Sequence, residues 1–385
     1  PVAWQRDTLL QLATADPEKF GVPAPEILIH HRTNWMMTTV APEEVAKALK
    51  NIAFMVSVSK ELDETVQFAD IVLPDLHFLE KLDALPNSFL HSMSPTSGYW
   101  YFGLRQPVVK PSFKVLHWVE ILIELADRAG FLEEYNRMLG AMLSGRTRPK
   151  IEPKRKYTHE EISDLWLKAI SGDETKGLDW FKEHGQLTYK RKVREVYSLP
   201  ALKHRIPLYY EHFLKAKEWP EKVAREMNIS WDTSDYTPLP DWKPCPAFKP
   251  DGKYDLFVVN YTIPFHQYSI TPQNPWLNEI SERHPYVYKI MVNTETARKR
   301  GIRDGATICV ETIRGRKVTG KAKVTECIHP EVIGIGGVFG AWADAKPIAK
   351  GKGAHFNSLI PFDLEHIDKL SAGADACERV RIYPA

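Results

Sequence analysis

Cysteine is scarce in this sequence, with four among 385 residues. The four lie far apart, at Cys245, Cys309, Cys327 and Cys377. No two of them form the Cys-x-x-Cys pair from which iron–sulfur and structural zinc sites are usually built. We therefore expect no metal site of that kind made by this chain alone.

The motifs of several common enzyme classes are also missing. The sequence has no Gly-x-Gly-x-x-Gly, no Walker-type phosphate loop, no His-Glu-x-x-His and no Gly-x-Ser-x-Gly. The usual nicotinamide, nucleoside-triphosphate, zinc-protease and serine-hydrolase interpretations therefore lack support.

Neither charge of one sign nor long apolar runs dominate the chain. Its 51 Lys and Arg residues nearly balance 49 Asp and Glu residues, so no overall field attracts nucleic acid. No window of eighteen apolar residues occurs, which predicts no membrane-spanning helix. The sequence begins at Pro1 without the features of a signal peptide, and we expect a piece that starts inside a domain. A hydrophobic content of 43% and an aromatic content of 11% favour a large, well-packed, enzyme-like protein.

The first third of the chain alternates strand-like and helix-like segments. Apolar runs at 25–31 and 52–59 are typical of strands, and 41–50 is typical of a helix because a proline and two glutamates occupy its first turn. The stretch 63–75 then supplies a short polar helix and an apolar strand. This order predicts a parallel α/β sheet.

The middle of the chain carries fewer signals. A helix is predicted over 114–130, with one apolar face formed by Leu116, Val119, Ile123 and Ala126. The basic stretch 144–156 is interpreted as a solvated linker, with a docking strip for an acidic partner as the alternative.

The last third predicts a small barrel. A strand near 253–260, a helix capped by Asn293 and stopped by Gly301, and a hairpin turning at Arg314 and Gly315 follow one another. We therefore divide the chain into an α/β portion (1–143), a linker with mixed helical and irregular structure (144–252) and a β-barrel domain (253–385).

Polar residues follow the predicted strands at the points where ligands bind to open α/β sheets. Thr33 and Asn34 follow the first strand, 59–64 follows the second, and His77 and Glu80 follow the third. A lone carboxylate such as Glu80 is more often a cap or a surface charge than a catalytic group.

A denser polar cluster follows the first strand of the barrel domain. It consists of Tyr261, Thr262, His266, Gln267, Ser269, Gln273, Asn274 and Trp276. Amides and hydroxyls of this kind suit a heterocycle with mixed edges, such as a pterin or guanine, better than a metal or a bare phosphate. The alternative is an aromatic loop that caps its own barrel. A later glycine-rich stretch adds His355 and Asn357.

Several segments, in order, resemble one enzyme family. DETVQFADIVLP (63–74) resembles the T-E-T-A-x-x-A-D-V-V-L-P motif of molybdopterin oxidoreductases of the dimethyl sulfoxide reductase family, and RTNWMMT lies where that family has G-x-N-P. RIPLYYE (205–211) is similar to its G-K-I-E-L-Y-S-E stretch. NPWLNEI, the segment 292–325 and HFNSLIP resemble its dinucleotide-binding module. The resemblance implies a parallel-sheet α/β portion followed by a C-terminal double-psi β-barrel.

The resemblance also implies a cofactor and its contacts. Such enzymes hold molybdenum or tungsten on two molybdopterin guanine dinucleotides, with a 4Fe-4S cluster that would belong to an N-terminal part not on this chain. By position, the implied cofactor contacts are Thr33, Asn34, Ser59, Thr262, His266, Gln267, Ser269, Asn274, Trp276, His355 and Asn357. Ser59 stands where many family members have Asp, and Ile263-Pro264 stands where they often have Arg. No catalytic residue and no metal ligand is assigned.

The implied activity is two-electron redox chemistry at the metal. The aromatic segment 231–242 favours hydroxylation or oxidation of an organic substrate such as an aryl-acyl thioester. Oxygen-atom transfer is the other form that this redox chemistry would take. The alternatives are an oxyanion reductase acting on sulfur, selenium or arsenic species, a non-redox hydratase or transhydroxylase, and a non-catalytic cofactor-binding or assembly module.

The implied partners are the N-terminal half or another chain of the catalytic unit and an iron–sulfur electron-transfer protein. The expected compartment is the prokaryotic cytoplasm or a membrane-associated complex, or the periplasm if the N-terminal part carries a twin-arginine signal.

Overall fold

A computed structural model describes residues 14–21, 23–84, 99–143, 145–190, 209–239, 241–245, 249, 251–371, 373–374 and 376–385, so 205–208 of the RIPLYYE match lie outside the described residues. In chain order the strands are β1 (Ile27–His31), β2 (Phe54–Ser59), β3 (Ile71–Pro74), β4 (Tyr99–Gly103), β5 (Gln186–Lys190), β6 (Leu256–Tyr261), β7 (Lys289–Asn293), β8 (Thr307–Thr312), β9 (Lys317–Thr325), β10 (Val332–Gly336) and β11 (Glu378–Pro384). The α-helices are α1 (Pro17–Phe20), α2 (Trp35–Thr38), α3 (Pro42–Lys50), α4 (Trp118–Arg128), α5 (Leu132–Met142), α6 (His159–Ser171), α7 (Leu178–His184), α8 (His212–Ala216), α9 (Glu218–Glu226), α10 (Pro275–Arg283) and α11 (Thr294–Lys299). Short 3-10 helices span Val66–Phe68, Thr271–Gln273 and Phe356–Ser358.

The α/β portion contains a three-stranded sheet in the order β1-β2-β3. Strands β1 and β2 are parallel, and their register pairs Ile27 with Phe54 and Ile29 with Val56. Successive side chains of a strand point to opposite faces, so these four residues share one face of the sheet. The residues between them point to the other face, where Met55 packs in a cluster with residues of α2 and α3. The predicted parallel α/β sheet is confirmed.

The segment 63–74 folds as a turn followed by a strand. The Asp63 carboxylate accepts the backbone N–H groups of Thr65 (2.9 Å) and Val66 (3.0 Å), which starts the 3-10 helix where a short polar helix was predicted. The Asp70 carboxylate then accepts the Met55 N–H at 2.7 Å, which holds the beginning of β3 beside β2.

Helix α4 begins later than the sequence pattern predicts. Its N-cap is His117, whose Nδ1 accepts the Val119 N–H at 3.2 Å. Leu116 therefore lies before the helix and is 46% exposed, so its predicted place on the apolar face is wrong. Ile123 and Ala126 are buried as predicted.

The barrel is closed by six strands in the order β10-β6-β11-β8-β9-β7. Four neighbouring pairs are antiparallel, and the pairs β10·β6 and β7·β9 are parallel. Apolar side chains that point inward fill it, among them Val258, Val292, Ile308, Ile333 and Val380, each with no exposed surface. The predicted barrel is confirmed.

Local signals set two connections of the barrel. The Asn293 side chain accepts the Glu295 N–H at 2.9 Å and caps α11, as predicted. Gly315, at φ 78°, closes the turn between β8 and β9 because glycine adopts this left-handed region without strain.

The chain forms two compact units. One consists of Pro1–Val72 together with Leu208–Ala385, and the other is Leu73–Pro207. The first strands of the α/β portion therefore share a unit with the barrel. The ranges 1–143, 144–252 and 253–385 stay predictions. Within the described residues, no helix has the length and apolar character needed to cross a membrane.

Candidate functional site

Asn34 connects the α/β portion to the barrel. It follows β1 at the start of α2 and is 6% exposed. Its side-chain amide donates to Glu64 (2.7 Å) and to the Ser269 hydroxyl of the barrel (3.3 Å), and its side-chain oxygen accepts from the Thr65 hydroxyl (3.0 Å). The two predicted contacts Asn34 and Ser269 therefore lie together, although 235 residues separate them in sequence.

Glu64 lies at the centre of this arrangement and has no exposed surface. One carboxylate oxygen accepts the backbone N–H groups of Trp342 (3.0 Å) and Ala343 (3.1 Å), and the other accepts from Asn34. Desolvation favours the neutral acid, but Lys346 and the Asn34 amide outweigh it and hold the pKa of Glu64 below its ordinary value. Glu64 is thus a buried anion that braces a barrel loop.

Lys346 supplies the opposite charge and is 1% exposed. Its ammonium lies 3.5 Å from the Glu64 carboxylate and 3.7 Å from that of Glu61, and it donates to the Ser269 carbonyl at 3.2 Å. Asn34, Glu64, Ser269 and Lys346 form what we call the buried network. This network joins the loops after β1 and β2 to two loops of the barrel.

His355 and Asn357 both contact the Met37 carbonyl of the α/β portion. The His355 Nε2 lies 3.0 Å from the Met37 carbonyl, and the Asn357 amide donates to that carbonyl at 2.9 Å. The second ring nitrogen of His355 contacts the Ser358 hydroxyl at 2.8 Å. Burial lowers the pKa of His355, although the Met37 carbonyl opposes the shift, so the ring is neutral at pH 7.

Close backbone approach shapes the loop beside His355. Gly340 has φ 81°, and a Cβ at this position would lie 2.5 Å from the His355 backbone nitrogen. Val338, two residues earlier, has φ 66°, which is rare for a β-branched residue. The backbone is therefore constrained where this loop meets the buried network.

The first barrel loop is also fixed from within. His266 is 4% exposed, with its ring nitrogens 2.6 Å from the Ser281 hydroxyl and 3.1 Å from that of Thr271. Burial lowers the pKa of His266 as well. The Asn274 oxygen accepts the Trp276 N–H at 3.0 Å and caps α10.

The eleven predicted cofactor contacts fall into two groups. Five are buried and engaged in internal hydrogen bonds, namely Asn34, Ser59, His266, Ser269 and His355. Six are exposed or half-buried, namely Thr33, Thr262, Gln267, Asn274, Trp276 and Asn357. Their roles toward a cofactor stay predictions.

The more exposed group fits a pterin or guanine edge chemically. Hydroxyl and amide side chains offer both donors and acceptors without charge, and the Trp276 ring, 78% exposed, offers a surface for stacking. The side chains of the buried group make internal hydrogen bonds within and between the loops.

Sequence reasoning assigned no role to two residues that hold these loops. Lys346 is one, and Gln273 is the other, because its side-chain oxygen accepts the N–H groups of Ile348 and Ala349, both at 3.1 Å. Gln273 was in the predicted polar cluster, and that membership was its only signal. No sequence signal marks Lys346, because the nearby Lys350 has the same residue type and yet is exposed.

The unit Leu73–Pro207 brings together potential metal ligands at Asp83, His117 and His159. The two imidazole rings are stacked, with centroids 3.5 Å apart. His117 caps α4 and His159 is the first residue of α6, so both rings lie at helix N-termini, where the helix dipole disfavours a cation. Helix capping accounts for the position of the His117 ring, and the His159 ring lies 3.0 Å from the Leu82 carbonyl.

A cavity of about 800 Å³ opens elsewhere on the barrel. Its lining includes Arg298, Glu326, Cys327 and His329. None of the predicted cofactor contacts lines this cavity. We therefore locate the candidate site by the buried network and not by the size of a cavity.

Comparison with protein families identifies both ends of the chain. Residues 14–128 match the family described as molybdopterin oxidoreductase. Residues 256–376 match the molydopterin dinucleotide binding domain. The two matched ranges include all four residues of the buried network.

Curated relatives cover most of the chain. It is 23% identical over 343 residues to the thiosulfate reductase molybdopterin-containing subunit PhsA of Salmonella typhimurium, covering 86% of this chain and 40% of the relative. It is 24% identical to one subunit of the sulfite dehydrogenase of Allochromatium vinosum, with 87% and 39% covered, and 23% identical to dimethyl sulfoxide reductase DmsA of Escherichia coli, with 80% and 35% covered. The chain thus spans about two fifths of the length of these relatives.

A solved structure shares the fold. Acetylene hydratase from Pelobacter acetylenicus superposes with a TM-score of 0.63 at 18% identity, covering 98% of this chain and 46% of that one. At this identity the similarity concerns the fold alone.

Proposed function

The chain belongs to the molybdopterin oxidoreductases of the dimethyl sulfoxide reductase family, and from this premise we propose that it forms part of the cofactor site of an enzyme that performs two-electron redox chemistry. When bound, the pterin-held molybdenum or tungsten would supply the redox centre. The observation that carries the proposal is the buried network, because it brings strand-end loops of the α/β portion and loops of the barrel to one place.

The residues of this chain would bind and position the cofactor. Thr262, Gln267 and Asn357 would hydrogen-bond its polar edges, and Trp276 would stack on a ring. Neutral His355 would hold in place the Met37 carbonyl, to which Asn357 also donates. We also propose that the enzyme holds two copies of the dinucleotide. An iron–sulfur cluster would lie on another part of the catalytic unit.

For the substrate, we propose a small sulfur compound or an oxyanion of another element. The support is that three relatives carry the names thiosulfate reductase, sulfite dehydrogenase and dimethyl sulfoxide reductase. Two-electron redox chemistry at sulfur is what these substrates share. Oxygen-atom transfer interconverts sulfite with sulfate and dimethyl sulfoxide with dimethyl sulfide, whereas two-electron reduction of thiosulfate cleaves its S–S bond to give sulfite and sulfide. The organic substrate that the aromatic segment 231–242 favours stays a prediction, as does a hydratase or transhydroxylase reaction.

Anaerobic purification of the native protein with its associated polypeptides tests the proposal. We expect molybdenum or tungsten, iron and acid-released guanine nucleotide in stoichiometric amounts. We also expect dye-linked turnover with thiosulfate, sulfite or dimethyl sulfoxide. Absence of metal, iron and nucleotide together would overturn the enzyme proposal. A loaded enzyme that turns over an aryl-acyl thioester but none of these three compounds would overturn the substrate class.

A further inference from the structure

A short surface segment carries more positive charge than the whole chain. Residues 145–156 contain six Lys and Arg residues and one Glu, a net charge of +5, whereas the complete chain has a net charge of +2. All six cationic residues are exposed. We call residues 145–156 the basic segment. Positive charge is thus concentrated at one place on the unit Leu73–Pro207, although the chain as a whole is nearly neutral.

Hydrogen bonds to two helices fix the backbone of the basic segment. The Thr147 N–H donates to the Ala169 carbonyl of α6 at 3.0 Å. Asn136 of α5 has no exposed surface, and its side-chain amide donates to the carbonyls of Pro153 and Arg155, both at 2.8 Å. A buried amide thus holds an exposed loop, and the segment is bound to the rest of its unit near both ends.

Cationic and half-buried side chains alternate along the middle of the basic segment. Pro149 and Ile151 are half-buried, and Ile151 packs against an apolar cluster of α4, α5 and α6. Arg148 and Lys150, which alternate with them, are exposed. Residues 148–152 contain no turn or bend, and residues two apart in an extended chain lie on the same side at about 6–7 Å. The two cations therefore project to solvent from one side of the segment.

Only some of these cations have a counter-charge. Carboxylates of α6 and α4 form ion pairs with Arg155 and Lys156, respectively. Within the described part of the chain, Arg148, Lys150 and Lys154 form no ion pair. Like charges repel one another, and the fixed backbone keeps these three from moving apart. Carboxylates placed against them would therefore be stabilising.

We propose that the basic segment is a docking site for an acidic segment of another protein. Arg148, Lys150 and Lys154 would pair with its carboxylates, which an extended peptide presents on one side at the same spacing of about 6–7 Å. Because the backbone of the basic segment is already fixed, binding would order side chains but not a loop. The inference goes beyond the proposed function and depends on neither the cofactor nor the substrate.

An anionic membrane fits these observations less well than an acidic protein segment does. Attraction to anionic lipids by charge alone typically takes clusters of about four to eight Lys and Arg residues, and three cations are unpaired here. Interfacial binding also uses apolar side chains that enter the lipid, whereas Ile151 packs against the interior of its own unit.

Zero-length crosslinking to a defined peptide tests the docking site. The native protein, purified with its associated polypeptides, would be mixed with a peptide of alternating glutamate and serine and treated with a carbodiimide, which joins lysines to carboxylates in contact with them. We expect mass spectrometry to find the peptide on Lys150 and Lys154 at roughly fivefold higher yield than on Lys222 and Lys299. The latter two are exposed controls that already pair with a glutamate four residues away.

Fluorescence anisotropy of the same peptide provides an independent measurement. The double variant Arg148→Gln, Lys150→Gln should bind the peptide roughly fivefold more weakly, because two exposed charge pairs together change an equilibrium by about that factor. The control Lys222→Gln, Lys299→Gln removes the same net charge from exposed positions and should bind like the wild type. Binding to the wild type should weaken as the salt concentration rises.

Several results would overturn the acidic-segment docking site. They are absence of peptide binding, equal crosslinking at all four lysines, and equal weakening by the two double variants. Tighter binding to phosphatidylglycerol vesicles than to the peptide, lost in Arg148→Gln, Lys150→Gln, would assign the basic segment to a membrane surface and would likewise overturn the proposal. The metal and pterin content that tests the proposed function is independent of all these measurements.

Discussion

Replacing Glu64 with glutamine should release the barrel loop at Trp342 and Ala343. Glutamine keeps an oxygen for these two N–H groups, but its amide then faces the Asn34 amide and the Lys346 ammonium, which are both donors. A buried ammonium without its carboxylate typically costs about 3–5 kcal/mol. Glu61, 3.7 Å from Lys346, remains as a partial partner, so we expect the lower end of that range.

Hydrogen exchange is the suitable assay because the chain has two compact units and need not unfold in one transition. A loss of about 3 kcal/mol corresponds to roughly 100-fold faster exchange in peptides that span residues 340–346. The sign of the pH dependence is fixed by the lowered pKa of Glu64. Its stabilisation is complete above the ordinary value of 4.5 and is lost as the pH falls below it, so the variant should lack this acid dependence.

A matched control is Glu295→Gln, which removes the carboxylate of an exposed ion pair with Lys299. Exchange in the same peptides should not change, because exposed pairs are screened by water and contribute little. If Glu64→Gln and Glu295→Gln leave exchange at residues 340–346 equally unaffected, the buried network does not hold this loop.

Three further outcomes follow from the geometry. Gly340→Ala should destabilise the protein more than Gly301→Ala, measured as the denaturant midpoint, because both have positive φ but only the first Cβ would meet the backbone of His355; equal losses would contradict the proposed close approach. Burial lowers the pKa of His159, so the stability of Leu73–Pro207 should be complete above about pH 6.5 and decline below it, and His159→Gln should flatten this decline in unfolding curves taken from pH 7.5 to 5. Asn357→Ala should reduce the pterin retained by the anaerobically purified enzyme, and unchanged retention would remove that contact.

Features with local causes could be predicted from the sequence. The cap at Asn293, the turn at Gly315 and the proline at the start of α3 depend on neighbours within a few residues, and each has the predicted structure. The start of α4 is an exception. The helix begins after His117 because the imidazole of this residue accepts the Val119 N–H. Hydrophobic periodicity alone predicts that the helix also includes Leu116.

The candidate site depends instead on contacts between distant segments. Glu64 binds N–H groups 278 and 279 residues further along the chain, and nothing near Glu64 in sequence indicates those partners. Short polar residues serve equally as helix caps, loop braces and ligand contacts. The sequence therefore indicated polar loops but could not separate Ser269, which is internal, from Gln267, which is exposed.

A double variant separates two effects of the buried network, one on the stability of the loops and one on their position. Well-packed apolar residues can replace a buried ion pair with little loss or even a gain of stability. The double variant Glu64→Met with Lys346→Met should therefore recover much of the protection that Glu64→Gln loses in residues 340–346. It would still lack directed bonds from the α/β portion to Asn34 and to the N–H groups of the barrel loop. We expect such a variant to be more stable than Glu64→Gln and yet to retain less pterin than the wild type. Normal pterin retention in a stable double variant would show that packing alone positions the loops.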